Sequence, residues 1–214
     1  MNYSQLSEPK LRICADDISE ELLYAIECDG SVACDIETSG LNWKTEKIGT
    51  CQLFSPSTGA VLIRIPHDNR VPDNLVHLLE TNRIRKVFHH AMFDLRFMSY
   101  HWNTVPSNVA CTKIVSKLLF PQAEYSHSLS VLLKEHLDFQ IDKSQQTSNW
   151  LSKRLTEKQI RYAVADVVHL LKLFDRLKHL AQSREMLDLV EAAFAHIPTR
   201  VRLEILGYQD IYTY

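Results

Sequence analysis

Apolar positions along this chain change their period after residue 65. Before it they come in short runs or alternate: 11–14 reads as a strand, 17–27 as a helix with Asp17 near its start, and 31–37 (Ser-Val-Ala-Cys-Asp-Ile-Glu) as a second strand. Residues 47–54 and 59–65 read as two more, joined by the turn residues Ser55-Pro56-Ser57-Thr58-Gly59, so the pattern predicts a three-stranded antiparallel start to a sheet. Beyond this the apolar spacing becomes three and four. Helices are predicted over 72–81, begun by Pro72 and Asp73, and over 91–101, with a buried strand at 84–89 between them. Others follow near 112–119, 128–136, 156–181 and 184–195, the stripe Ile160, Ala163, Val164, Val167, Leu170 and Leu171 marking the third of these. Strands first and helices later predict an α/β protein, a mixed β-sheet flanked by helices.

Composition narrows the class. With 214 residues, 45% of them apolar, the chain has the size of one domain over 1–214, read as a core of about 11–182 and a helical tail of about 183–214. Disordered, collagenous and low-complexity classes are excluded. Lys and Arg number 24 against 26 Asp and Glu, a formal charge of −2. A protein that grips long nucleic acid over many phosphates usually carries a basic surplus. Its lack favours short substrates, a local basic patch, or a ring of subunits that pools weak patches. Cys14, Cys28, Cys34, Cys51 and Cys111 are scattered and contain no Cys-x-x-Cys pair, which suits reduced thiols in a cytoplasmic protein rather than disulfides or a zinc site. The polar N-terminus and the lack of any apolar run near 18 residues predict neither secretion nor a membrane span.

Candidate chemistry lies in three acidic elements. Asp35 and Glu37 stand two apart on a strand whose other face carries Val32, Cys34 and Ile36. Residues two apart share a face, and carboxylates so placed repel unless they are solvated or a cation lies between them. Asp94 falls in the first turn of the helix that follows the strand ending near His89, at the sheet edge where such folds place ligands; a carboxylate there also complements the helix dipole. Tyr162 and Asp166 are four apart and share one helical face among Ala163, Val164 and Val167. A buried Asp needs a partner, which a divalent metal or the Tyr162 hydroxyl could supply. Together, four carboxylates and a tyrosine offer enough oxygen ligands for two hard cations, Mg²⁺ or Mn²⁺, which can clamp the two oxygens of an in-line phosphoryl displacement.

These elements resemble the DEDD superfamily of 3′-5′ exonucleases, in its tyrosine-bearing (DEDDy) branch. The resemblance rests on Asp35-Ile-Glu37, the His-rich segment ending in Phe93-Asp94, and Tyr162-x-x-x-Asp166; Lys143 to Trp150 and Leu155 to Tyr162 resemble the stretch before the last motif in RNase D-like enzymes. About 48 residues follow Asp166, which leaves no room for the helical HRDC domains of RNase D. The size, Asp35 to Asn42, Cys111-Thr-Lys-Ile114 and Ile197 to Leu203 are similar to the compact nano-RNase C group, with departures at Ser39 and His90. The resemblance implies an RNase H-like fold, an octameric ring, and hydrolysis of very short RNA, diribonucleotides especially, to 5′-mononucleotides. It implies that Asp35 bridges two metals, that Glu37 and Asp166 complete one site, that Asp94 reaches the other through water, and that Tyr162 holds the nucleophilic water. It also implies that Leu41 wedges between bases.

Further substrate contacts are expected from His90, Phe93, Lys143, Gln145 and Gln146. His89 is read as a packing residue. Phe93 suits base stacking as well as the core, and Lys143, Gln145 and Gln146 suit a groove wall as well as a solvated loop. Arg200 and Arg202 suit a subunit contact or a phosphate. Rival readings are an RNase D-like trimmer of longer RNA, a DNA exonuclease, and a silent nucleic-acid-binding module.

Overall fold

The structure, a computed structural model, describes residues 10–66, 68, 70–122, 124–142, 144–211 and 213. Strands β1 (Leu11–Ala15), β2 (Ser31–Thr38), β3 (Ile48–Ser55), β4 (Gly59–Arg64), β5 (Arg85–Phe88) and β6 (Val109–Cys111) form one sheet in the order β1-β4-β3-β2-β5-β6. The helices are α1 (Glu20–Asp29), α2 (Asp73–Glu80), α3 (Ala91–Trp102), α4 (Thr112–Leu119), α5 (Leu129–Leu137), α6 (Glu157–Val168), α7 (Leu170–Ser183) and α8 (Leu187–Ile205).

The predicted antiparallel meander is present: β2 pairs with β3 and β3 with β4. β1 joins β4 in parallel, and β5 joins β2 and β6 in parallel, so the sheet is mixed. Four expectations need correction. The three-residue strand β6 has no counterpart in the sequence reading, because so short a run carries no period. The helix expected over 156–181 is two, divided at His169. The last helix runs to Ile205 rather than 195, because its buried stripe Val190, Phe194, Ile197 and Val201 continues through Pro198. Asp17 does not begin α1, which Ser19 caps through the Leu22 amide. Instead Asp17 accepts the amides of Asn74 and Leu75 at 2.8 and 3.1 Å, capping the first turn of α2, where Pro72 offers no side-chain cap.

The sheet separates two apolar clusters. Cys34, Ile36, Cys51, Leu53, Val61 and Ile63 belong to the main core, with α1 to α4, α7 and α8. The opposite face carries Leu62, which packs with Trp150 and Ala163 of α6. A capping box between Thr156 and Gln159 starts α6, and the Gln159 amide also donates to the Asn149 carbonyl at 3.1 Å, tying the helix to the loop that carries Trp150. That loop lies so close to β3 that a Cβ on Gly49 would sit 2.5 Å from the Trp150 carbonyl oxygen.

Candidate active site

Strand β2 outruns its parallel neighbour. Its last pair with β5 is Ala33 with Val87, yet β2 continues to Thr38, so Asp35 and Glu37 stand on a strand edge that β5 leaves open. The chain turns at His89 and His90 into α3, whose first turn carries Asp94. Asp94, 2% exposed, fills the opened edge: its Oδ1 accepts the Ile36 amide at 3.2 Å, between the two acids of β2. From the opposite side, α6 brings Tyr162 and Asp166 over the same face.

The result is a carboxylate cluster. One oxygen each from Asp35, Glu37 and Asp166 lie within 4.8 Å of one another. Hard divalent cations bind oxygens at about 2.0–2.6 Å, so a single ion can be reached from all three. The Tyr162 hydroxyl donates to Asp166. Burial first, and then the charges of Asp94, Asp166 and Glu37, hold the Asp35 carboxyl well above the usual carboxylate range. Burial with Asp166 and Asp94 pushes Glu37 up to about 9, and Asp94, also raised chiefly by burial, stands at about 7. Tyr162 is raised by burial and by the same acids. Among the described residues, none of Asp35, Glu37 and Asp94 forms an ion pair with Lys, Arg or His. An all-oxygen donor set, buried at Glu37, half-buried at Asp35 and Asp166 and repelling itself, is the chemistry that a divalent cation satisfies.

The remaining sequence candidates fall into three groups. His90 and Phe93 sit at the start of α3, one turn or less from Asp94, with rings stacked at 6.4 Å, and Phe93 also packs 5.1 Å from Phe97. His89 Nδ1 is 2.9 Å from Thr112 Oγ1. Partial burial, then the charges of Lys113, Arg96 and Lys117, push His90 down to about 4, so its ring is neutral at pH 7. Leu41 is 84% exposed and is no core residue. Its loop is braced: Ser39 Oγ donates to Glu46 at 2.6 Å, and the Lys47 amide donates to Ser39 Oγ at 3.0 Å. Gln146 is exposed on the loop before Trp150, Gln145 is half-buried, and Lys143 lies outside the described residues. Arg200 is bound to Glu204 at 2.9 Å and to Asp210 at 3.3 Å within its own chain, which occupies its guanidinium.

The sequence reading passed over two groups. Lys113 and Lys117, four apart on α4, set the positive field around His90; their spacing was visible, their approach to α3 was not. Thr50 and Gln52 lie fully buried beneath the acids, opposite Glu37 and Asp35 on β3. Polar residues in strand alternation read as a solvated face until the helix covering them is known.

Residues 13–182 match the family model described as 3′-5′ exonuclease. Ribonuclease D of Serratia proteamaculans (strain 568) is 28% identical over 146 residues, 68% of this chain and 38% of that protein. Ribonuclease D of Escherichia coli K12 is 26% identical over 177 residues, 83% of this chain and 44% of that protein, so the chain spans less than half the length of these curated relatives. Among solved structures, Brucella melitensis NrnC superimposes with a TM-score of 0.88 at 32% identity, covering 95% of this chain and 98% of that one. The same Brucella protein has been solved bound to pGG and with Mg²⁺. E. coli RNase D shares the fold, with a TM-score of 0.77 at 21% identity over 90% of this chain and 51% of that one. A carboxylate cluster on an RNase H-like sheet, inside a match that runs from residue 13 to residue 182, has one reading: the chain belongs to the 3′-5′ exonuclease family.

Proposed function

We propose that this exonuclease hydrolyses short oligoribonucleotides, diribonucleotides above all, to 5′-mononucleotides, using two divalent cations, Mg²⁺ or Mn²⁺. The observation that carries the chemistry is the convergence of Asp35, Glu37 and Asp166 within 4.8 Å, with the Tyr162 hydroxyl held by Asp166. Asp35, Glu37 and Asp166 would hold one cation, and Asp35 with Asp94 the second. Divalent cations supply Lewis acidity and charge neutralisation at such a centre. Tyr162 then orients the water that attacks the last phosphodiester phosphorus; the bond to the 3′ oxygen of the preceding nucleotide breaks, and that oxygen leaves as a hydroxyl.

The preference for short strands is supported by Leu41, a leucine 84% exposed on a braced loop and so free to insert beside a base. Burying one such side chain is worth about 1.5–3 kcal/mol, enough to set the register of a small substrate. His90, Phe93 and Gln146 would line the strand's path, and a neutral His90 would serve as a hydrogen-bonding rather than a charged contact. The Brucella relative, bound to pGG in one structure, supports the same reading.

A time course on 5′-labelled RNAs of two to seven nucleotides, with Mg²⁺ or Mn²⁺ and an EDTA control, tests it. The dinucleotide should disappear at least about tenfold faster than the heptamer, the difference that about 1.4 kcal/mol of selective contact gives. An even ladder from the longer RNAs would favour the trimming reading instead.

We further propose a cytoplasmic homo-oligomer, an octameric ring. A net charge of −2 on the chain supports this, since a ring multiplies weak positive patches such as Lys113 with Lys117. Sedimentation should give the mass of eight chains, and the mass of one chain would exclude the ring.

A further inference from the structure

Gln52 has no assigned role, yet it is a fully buried polar side chain beside the acids. Strand register sets it directly opposite Asp35, and sets Thr50 opposite Glu37. Side chains so paired have Cβ atoms about 4.5–5.5 Å apart, within reach of a hydrogen bond between a Gln and an Asp. Both Gln52 and Thr50 are 0% exposed.

Two features of the Gln52 amide conflict with one another. Its Nε2 lies 2.5 Å from Thr50 Oγ1, while its Oε1, fully buried, has no hydrogen-bond partner among the described residues. A contact of 2.5 Å is short for N–H···O, typically about 2.7–3.2 Å, but falls within the range for O–H···O. The two ends of a Gln amide have the same shape, and the surrounding network decides between them. Half a turn of the amide resolves both features. The Thr50 hydroxyl then donates to Oε1, and Nε2, with two hydrogens to give, takes the place of the orphaned oxygen.

The register names the neighbours that could take those hydrogens. On this face Gln52 is flanked by Thr50 and Phe54 along β3, by Leu62 across on β4, and by Asp35 across on β2, with Ala163 and Trp150 packed over Leu62. Asp35 is the carboxylate directly opposite. We propose that Gln52 is a positioning residue, its amide donating to the Asp35 carboxylate and fixing its rotamer for cation binding, with Thr50 setting the amide's orientation. This rests on the acid cluster being the cation site. Hydrogen bonds of this kind to a liganding side chain raise metal affinity by about 10–100-fold in known sites.

Gln52→Met keeps the volume and removes both polar ends. Mg²⁺ binding to the full chain, measured by calorimetry without substrate, should weaken by about 10–100-fold. The melting temperature in EDTA should not fall, since the variant also removes a buried polar group. Thr50→Val, which lets the amide turn, should weaken Mg²⁺ in the same direction and gives a second reading if Gln52→Met does not fold. Mg²⁺ affinity within about twofold of wild type in the folded variants would make Gln52 a core amide and overturn the proposal; the factor is far below the effect expected of a positioning contact. Wild-type protein that binds no Mg²⁺ would instead overturn the cation reading of the acids themselves.

Discussion

Asp35→Asn is expected to lower kcat by about 10³-fold or more while leaving the protein folded, because it removes the carboxylate shared between the two proposed cation positions. The several kcal/mol that cation charge lends to phosphoryl transfer sets this scale, about 4 kcal/mol corresponding to a thousandfold. The same substitution should stabilise the metal-free protein. Asp35, Glu37 and Asp94 bind protons more tightly folded than unfolded, with Glu37 at about 9 and Asp94 at about 7. For such raised acids the unfolded chain ionises first. Stability in EDTA is therefore greatest below the unfolded pKa of about 4 and declines as pH rises toward the folded values. Asn mimics the protonated acid, so in EDTA the variant should melt above wild type at pH 8, and the gap should narrow as pH falls and close near the unfolded pKa of about 4. Paired melting curves in EDTA and cleavage assays in Mg²⁺ check both halves. Activity within about tenfold of wild type would remove Asp35 from the reaction, since that is barely 1.4 kcal/mol.

Gly49→Ala should damage the protein from outside the acid set. The added Cβ would meet the Trp150 carbonyl oxygen at 2.5 Å and its carbonyl carbon at 2.8 Å. That atom is backbone, anchored by Trp150 against Leu62 and Ala163 and by the Gln159 amide on Asn149, so it cannot swing aside as a side-chain tip would. Overpacking of this kind costs about 1–3 kcal/mol, or a fall in melting temperature of about 2–12 °C for a domain of this size. Moving the loop also moves α6, which carries Tyr162 and Asp166, and a misplacement near 1 Å can cost about a hundredfold in rate. A melting curve and a Mg²⁺ cleavage assay on one preparation should show both losses. A variant that melts within about 1 °C of wild type would show that the loop yields freely, since even 1 kcal/mol moves a domain of this size by about 2–4 °C.

The acids were legible because each motif lies inside one local element: a strand for Asp35 and Glu37, a helix start for Asp94, and a helix face for Tyr162 and Asp166. Period and turn chemistry likewise gave the meander of β2, β3 and β4 its direction. What escaped depends on partners distant in sequence. Nothing local marks His169 as a boundary, since neither Gly nor Pro breaks the stripe there, whereas Pro198 suggests a boundary that α8 ignores in order to keep Ile197 and Val201 buried. Thr50 and Gln52 carry no local mark of burial, which α6 imposes by packing across β3. Leu41 could be read as a core leucine or a wedge, and only its exposure excludes the first.

Because β2 supplies two of the clustered carboxylates and α6 the third, the site is split across the order of synthesis. Glu37 emerges from the ribosome 129 residues before Asp166. At translation rates of about 5–20 residues per second, that leaves roughly 6–26 seconds during which the growing chain carries Asp35 and Glu37 without the residues that complete their cluster. The topology thus delays the site, because the early strand alone cannot complete the three-carboxylate cluster. The cluster forms only when a late helix docks across an early strand.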